Sequence, residues 1–225
     1  MNTYLDRSIE LLGEEKISSF KDKTILIIGL GGVGGTALCA LYRSGFKNFI
    51  LVDHDVVDPS NLNRQIMYNT SDIGKAKVNV CKEKIEAFSS DINIETHQLF
   101  IDEESLKSFE NKKIDFIVDA IDKIPSKISI INFALRRGIP FIVSLGMGNR
   151  LSPSDVIITS LNKTENDPLA RNLRYKLRKD GADLKSIPVI FSKETPLVKL
   201  DHPSSMMMVP STAGLLIASY IIKNI

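Results

Sequence analysis

Residues 24–36 read TILIIGLGGVGGT, and the fold follows from them. The run Ile25, Leu26, Ile27, Ile28 is unbroken and apolar. A parallel strand covered by helices on both faces reads this way, because it has no solvent face to favour a polar alternation. The run passes directly into Gly29, Gly31, Gly32, Gly34 and Gly35, and then into the helix-like TALCALYRS. Gly29-x-Gly31-x-x-Gly34 fits the turn between a strand and a helix that cradles a phosphate. The glycines permit a tight turn and close approach of the backbone, and the helix that follows offers free N–H groups and the positive end of its dipole. A second apolar run, residues 49–52, ends at Asp53, 19 residues after Gly34 and close to where a ribose-binding carboxylate is expected. The pattern points to a nucleotide, either a redox dinucleotide or ATP. The competing reading is a tight turn without a ligand.

Working outward, the chain alternates strands and helices. Residues 3–20 predict one or two short helices, and the helix after the glycines is expected to stop at Gly45. A long polar loop, VVDPSNLNRQIMYNTSDIG, follows Asp53-His54-Asp55, and a loop of that length at a strand's carboxyl end is more often functional than idle. The patterns predict a helix over 75–88, strands over 92–100 and 114–122, a helix over 126–137 and a strand over 140–148. His97 reads as an ordinary strand residue. This alternation defines an α/β fold, a Rossmann-like doubly wound and mostly parallel sheet whose ligands sit outside the carboxyl ends of the strands. Residues 1–150 form the expected nucleotide-binding unit. Residues 151–225 form a C-terminal strand and helix extension, with a strand over 154–161, a helix started by Asp167-Pro168-Leu169 and a strand running into a loop over 189–196, read as packed on the same domain.

Composition narrows the function classes. With 43% hydrophobic and 25% charged residues among 225, the chain can bury a full core. A net charge of +2 does not by itself announce nucleic-acid binding. The N-terminus lacks a basic stretch followed by an apolar one, so no export signal is read. The apolar stretch near residues 206–222 is interrupted by Pro210, Ser211, Thr212, Ser219 and Tyr220. It reads as a buried or interface helix, not a membrane span. Cys39 and Cys81 have no CxxC partner, which leaves neither a zinc ribbon nor a disulfide framework and fits a reducing cytoplasm. Residues 163–199 carry nine Lys or Arg against five Asp or Glu, with Arg171, Arg174 and Arg178 on one predicted helix. Such a run is ordinarily a solvated face, and it is also what a phosphate backbone grips.

Four features sit awkwardly with a dehydrogenase: Asn61 to Gln65 in the long loop, Lys75 and Lys77 beyond it, Asp122 at the end of the fourth strand, and Arg7 ahead of the fold. Cleaving ATP between its α and β phosphates requires cations for the departing pyrophosphate and a carboxylate for Mg²⁺ near the α phosphate. Arg64 and Lys77 suit the first task and Asp122 the second.

The segments GLGGVGG, Asp53, Asp55, Asn61-Leu62-Asn63-Arg64-Gln65, Gly74-Lys75-Ala76-Lys77 and Ala120-Ile121-Asp122 resemble the motifs of the ThiF/MoeB/ubiquitin-activating superfamily, which adenylates carboxylates. The tail DPLARNLRYKLRK, then VIFSKETP and a closing apolar helix, resembles its tRNA threonylcarbamoyladenosine dehydratase branch. That branch uses ATP to cyclise N6-threonylcarbamoyladenosine (t6A) in tRNA. The resemblance implies ATP and Mg²⁺ as cofactors, a tRNA partner carrying t6A, no DNA partner, a homodimer and a sulfur-transfer partner protein. It places Gly29, Gly31, Gly32 and Gly34 at the phosphates and Asp53 at the ribose. Asp55, Asn61, Arg64, Gln65 and Lys77 join the nucleotide site, and Asp122 holds the metal. Arg7 reaches a partner subunit's site, and Arg171, Arg174 and Arg178 contact RNA. The segment between Thr195 and the last helix is shorter than the branch leads one to expect and lacks cysteine, so no thioester nucleophile is offered. An activator of a ubiquitin-like sulfur carrier is the alternative. A nicotinamide-dependent oxidoreductase or a non-catalytic nucleotide-binding module stands behind it.

Overall fold

The computed structural model describes residues 3–198, 200 and 203–225; Lys199, which closes the basic stretch counted above, lies outside them. Seven strands share one sheet: β1 (Thr24–Ile28), β2 (Asn48–Val52), β3 (Asn93–His97), β4 (Phe116–Asp119), β5 (Phe141–Ser144), β6 (Val156–Ser160) and β7 (Pro188–Ser192). Their spatial order is β3-β2-β1-β4-β5-β7-β6. Every neighbouring pair is parallel except β6 with β7, which is antiparallel. The order runs outward in both directions from β1, so the β1–β4 seam is the switch point at which a crevice opens.

Helices cover both faces. They are α1 (Asp6–Leu12), α2 (Glu14–Ser19), α3 (Gly32–Arg43), α4 (Lys77–Phe88), α5 (Glu103–Leu106), α6 (Ile124–Arg137), α7 (Pro168–Lys179) and α8 (Met208–Asn224). Ile25 and Ile27 point into a core shared with α3, α4 and α8, whereas Leu26 and Ile28 point into a second core shared with α6 and α7. The unbroken apolar reading of β1 is thereby explained, since successive side chains of a strand serve opposite faces. Each fully buried Leu or Ile contributes about 1.5–3 kcal/mol relative to an exposed one. In one core Phe20 stacks on Phe46 with ring centroids 4.5 Å apart.

α8 lies against α3 with unusual closeness. A Cβ on Gly214 would meet the Val33 carbonyl oxygen at 2.5 Å, and Pro210 of the same helix stands 3.1 Å from where a Gly32 Cβ would be. Among the described residues no helix is long and apolar enough to cross a membrane.

Several boundaries differ from the sequence reading. β3 covers five residues and not the nine of 92–100, because it lies at the sheet edge and has only β2 to pair with. β4 ends at Asp119, so Asp122 belongs to the following loop and not to a strand end. α4 begins at Lys77 and not at Lys75: residues 74–76 fold back on the long loop through Gly74 N–H to Val57 and an antiparallel bridge between Val56 and Ala76. α6 begins at Ile124, two residues earlier than expected, with Pro125 in its first turn where a missing N–H costs nothing. β5 stops at Ser144, leaving Gly146 and Gly148 in a loop. The short helix α5 was not anticipated; Asp102 caps it by accepting from Ser105 N–H at 2.8 Å.

Candidate functional site

A cleft of about 540 Å³ opens at the carboxyl ends of β1, β2, β4 and β5. Gly29, Gly31, Gly32, Asp53, Asp55, Asn61, Arg64, Gln65, Lys77 and Asp122 all border it. These residues are spread over almost a hundred positions of sequence, and the sheet edge gathers them.

The glycine loop has distinct parts. Gly29 takes φ +92°, and a Cβ there would lie 2.7 Å from the Ala120 carbonyl oxygen, so the turn out of β1 closes directly on the end of β4. Gly34 is not at the cleft surface. A Cβ on it would fall 1.8 Å from the Gly29 carbonyl oxygen, so its place is the helix–strand contact beneath the loop. Gly31 meets nothing closer than the Gln65 amide at 3.9 Å and faces open space, as a phosphate cradle requires.

Asp53 is buried at the end of β2. Its Oδ2 accepts from Leu30 N–H at 2.6 Å and its Oδ1 from Asp55 N–H at 2.9 Å. The carboxylate thus ties the glycine loop to the start of the polar loop, and each oxygen keeps a lone pair for a further donor. The polar loop is well organised: Asp58 and Asn61 form a reciprocal cap, and Lys77 N–H donates to the Asp55 carbonyl. Buried Lys77 places its Nζ 2.8 Å from Asp55 Oδ2, and His54 Nε2 lies 3.2 Å from Asp55 Oδ1. Arg64 donates from Nη1 to the Ser60 carbonyl at 2.7 Å and to Asn63 Oδ1 at 2.9 Å. Gln65 is buried, and its Oε1 has no hydrogen-bond partner among the described residues.

Beneath Asp122, which is exposed, lies a pair that sequence reasoning missed. Asp119 and Lys127 are fully buried, with Lys127 Nζ 2.9 Å from Asp119 Oδ1 and 2.7 Å from the Ser144 carbonyl. Burial pushes the Asp119 carboxyl above its ordinary range, against the pull of the Lys127 charge. Ser126, also buried, borders the cleft beside this pair. On the opposite wall Arg150 donates to the carbonyls of Gly146, Gly148, Asn166 and Glu194. Desolvation there lowers the guanidinium's affinity for its proton. Asp167 caps α7 through Leu169 and Ala170 N–H and also accepts from Gly146 N–H, which ties that helix to the cleft. The Asp167-Pro168 pair was legible as a helix start. The Lys127 and Arg150 contacts were not, since a lysine or arginine in sequence reads as a surface charge.

The remaining residues singled out from the sequence lie apart from the cleft. Arg7 is exposed on α1 beside Glu10. Arg171 and Arg178 are exposed on α7, whereas Arg174 is half-buried and donates to the Thr164 carbonyl at 2.7 Å, so it is committed to the chain's own backbone. Cys81 is buried, which pushes its thiol up to about 12, and Cys39 is partly buried in α3. His97 pairs with Glu95 on β3.

A glycine loop at the switch point, a carboxylate after the second strand and two cations on one wall define an α/β nucleotide-binding protein equipped for a polyphosphate. The chain belongs to the ThiF family, whose model matches residues 5–224. It is 34% identical over 232 residues to the tRNA threonylcarbamoyladenosine dehydratase of Bacillus subtilis, covering 95% of this chain and 91% of that one. It is 32% identical to the Escherichia coli dehydratase over 82% of this chain and 71% of that protein. The crystal structure of the E. coli enzyme, TcdA, in complex with ATP superposes with a TM-score of 0.92 at 29% identity, covering 98% of this chain and 93% of that one.

Proposed function

We propose that the protein is an ATP-dependent tRNA dehydratase that cyclises t6A by adenylating its carboxylate. The observation that carries this reading is the convergence of Gly31, Arg64, Lys77 and Asp122 on one cleft, in a chain similar along nearly its whole length to enzymes of that name. In the reaction, a carboxylate oxygen of the threonylcarbamoyl group bonds to the α phosphorus of ATP while the bond to the bridging oxygen breaks and pyrophosphate leaves. The carbamoyl nitrogen then bonds to the acyl carbon, loses its proton, and AMP departs with the former carboxylate oxygen. The base has lost one water.

This chain's residues have clear tasks in that sequence. Gly31 and Gly32 lay their backbone against the phosphates, and Asp53, already anchored by two N–H groups, accepts from the ribose hydroxyls. Asn61 and Gln65 border the same wall. Arg64 and Lys77 neutralise the departing pyrophosphate, Lys77 exchanging Asp55 for a phosphate oxygen. Nucleophile and acyl carbon belong to one molecule, so holding the base still supplies most of the second step. Neither cysteine is presented for a thioester.

Mg²⁺ fits the donors present. Asp53 and Asp55 lie close enough to His54 to form a cation cluster, but their oxygens already serve backbone N–H groups and Lys77. Exposed Asp122 is a hard oxygen donor at the cleft and would hold the ion together with phosphate oxygens, where it offsets developing charge. Exposed Arg7 would complete the cleft of a second copy in a homodimer, and Arg171 and Arg178 would grip the tRNA backbone. A sulfur-transfer protein is a further partner that the reading accommodates, and the site of action is the cytoplasm.

The test is nucleoside mass analysis of t6A-containing tRNA after incubation with the protein and Mg-ATP. Loss of one water, dependent on ATP and accompanied by AMP release, is the expected result. Unchanged tRNA from a sample that binds ATP refutes the reading and directs attention to a ubiquitin-like carrier.

A further inference from the structure

The pair Asp119–Lys127 is an unusual investment. Two charges are removed wholly from water at the floor of the cleft, and Asp119 Oδ2 finds no hydrogen-bond partner among the described residues. Desolvating an ion pair costs as much as it returns, and well-packed apolar residues of like volume often serve stability as well or better. The location of its bonds suggests what the pair does instead. Asp119 is the last residue of β4, and its Oδ1 accepts from Ile121 N–H at 3.3 Å, one residue before Asp122. The same oxygen is held by Lys127 from the first turn of α6, and Lys127 in turn donates to the Ser144 carbonyl at the end of β5. Ala120 N–H continues the ladder to Ile28 at 2.8 Å, just ahead of the glycine loop. The short segment carrying Asp122 is therefore pinned from β1, from β5 and from α6, and the charged pair is the joint between the last two.

We propose that Asp119 and Lys127 are positioning residues that fix the 120–122 segment so that Asp122 presents its carboxylate to the metal–nucleotide complex. The proposal rests on the assignment of Asp122 to the metal. Neither buried side chain touches substrate. They act as the partners behind a metal ligand commonly do, where their loss costs about 10–100-fold in metal affinity or activity.

The experiment measures Mn²⁺ binding by electron paramagnetic resonance in the presence of a non-hydrolysable ATP analogue, alongside kcat and KM for ATP. The main variant is Asp119→Leu with Lys127→Met, which removes both charges together and so leaves no lone buried ion. A second variant, Asp119→Asn with Lys127→Met, is also neutral but keeps an acceptor for Ile121 N–H and conserves volume, so it carries the test should the first not fold. Expected for the Leu–Met variant is a native thermal transition, Mn²⁺ affinity reduced about 10–100-fold, and kcat falling more than KM rises. The Asn–Met variant keeps the Ile121 bond but loses the joint to α6 and β5, so its Mn²⁺ affinity should lie between those of the Leu–Met variant and wild type; if it is the only one that folds, wild-type Mn²⁺ affinity in it overturns the proposal and a reduced affinity upholds it. Wild-type Mn²⁺ affinity and kcat in a folded Leu–Met variant overturn the proposal. Asp122→Asn is measured beside them: if it leaves Mn²⁺ binding unchanged, the metal assignment falls and this proposal with it. If Asp122→Asn weakens binding and the Leu–Met variant does not, the positioning role alone is refuted.

Discussion

Replacing Asp53 by asparagine tests whether the carboxylate holds the glycine loop before any ligand arrives. Both oxygens are in use: Oδ2 accepts from Leu30 N–H at 2.6 Å and Oδ1 from Asp55 N–H at 2.9 Å. An asparagine has one acceptor oxygen, so whichever way the amide turns, an NH₂ group confronts a backbone N–H. The variant loses one charge-assisted bond, weakens the other, and strands a donor in a site where Asp53 is only 8% exposed. A hydrogen bond to a charged group is worth about 1.5–3 kcal/mol. At roughly 2–4 °C per kcal/mol for a chain of this size, the melting temperature should fall by about 3–12 °C. The assay is thermal unfolding of both proteins without nucleotide, followed by titration with ATP. ATP affinity should fall as well, since the proposed ribose acceptor and the loop are altered together. A melting temperature within 1 °C of wild type, at any ATP affinity, would refute the argument that Asp53 is a structural clamp as well as a ligand.

Three further outcomes are expected. Arg171→Ala combined with Arg178→Ala should weaken tRNA binding and lower its salt slope by roughly 1.4–1.8, the contribution of two phosphate contacts; Arg174→Ala should instead lower stability, because its guanidinium holds the Thr164 carbonyl, and filter binding across salt concentrations separates the two. Burial raises the Asp72 carboxyl, but Lys84 and Asn69 N–H outweigh it and hold the group below its ordinary value. Its contribution is therefore complete above the unfolded carboxylate range near pH 4 and disappears as pH falls through the lower folded value, so Asp72→Asn should cost about 1–3 kcal/mol in urea unfolding at pH 7 and progressively less as the pH is lowered below about 4. Cys81, its thiol pushed up to about 12 by burial, should resist a thiol reagent at pH 8 in the native protein and react once unfolded, leaving Cys39 as the only native site of labelling.

What could be read from the sequence divides along a physical line. β1, β2 and β4 were legible because strands buried on two faces must be apolar throughout, and the glycine loop because few residues other than glycine fit at Gly29 and Gly34. The antiparallel β6 was legible as a strand but not in direction, which is set by pairing with β7 and leaves no trace in composition. Asp122 was placed at a strand end when it belongs to a loop, because Ala120-Ile121 continues the apolar pattern past the last residue of β4. Lys127 escaped notice for a different reason. Its partners, Asp119 and the Ser144 carbonyl, are brought together only when α6 packs on the sheet, and before that it is one lysine among many. The resemblance grouped Arg174 with Arg171 and Arg178, and the Thr164 contact distinguishes it from them.

The contact between Gly214 of α8 and Val33 of α3 has a consequence for biogenesis. The glycine loop is made early in synthesis, but the helix that presses upon its first turn is translated only after β7. Until α8 arrives, α3 shows its apolar back to water and Gly32 lacks the support of Pro210. A nascent chain therefore has a phosphate loop but no finished nucleotide pocket, and the capacity to activate a substrate appears only when translation of α8 is complete.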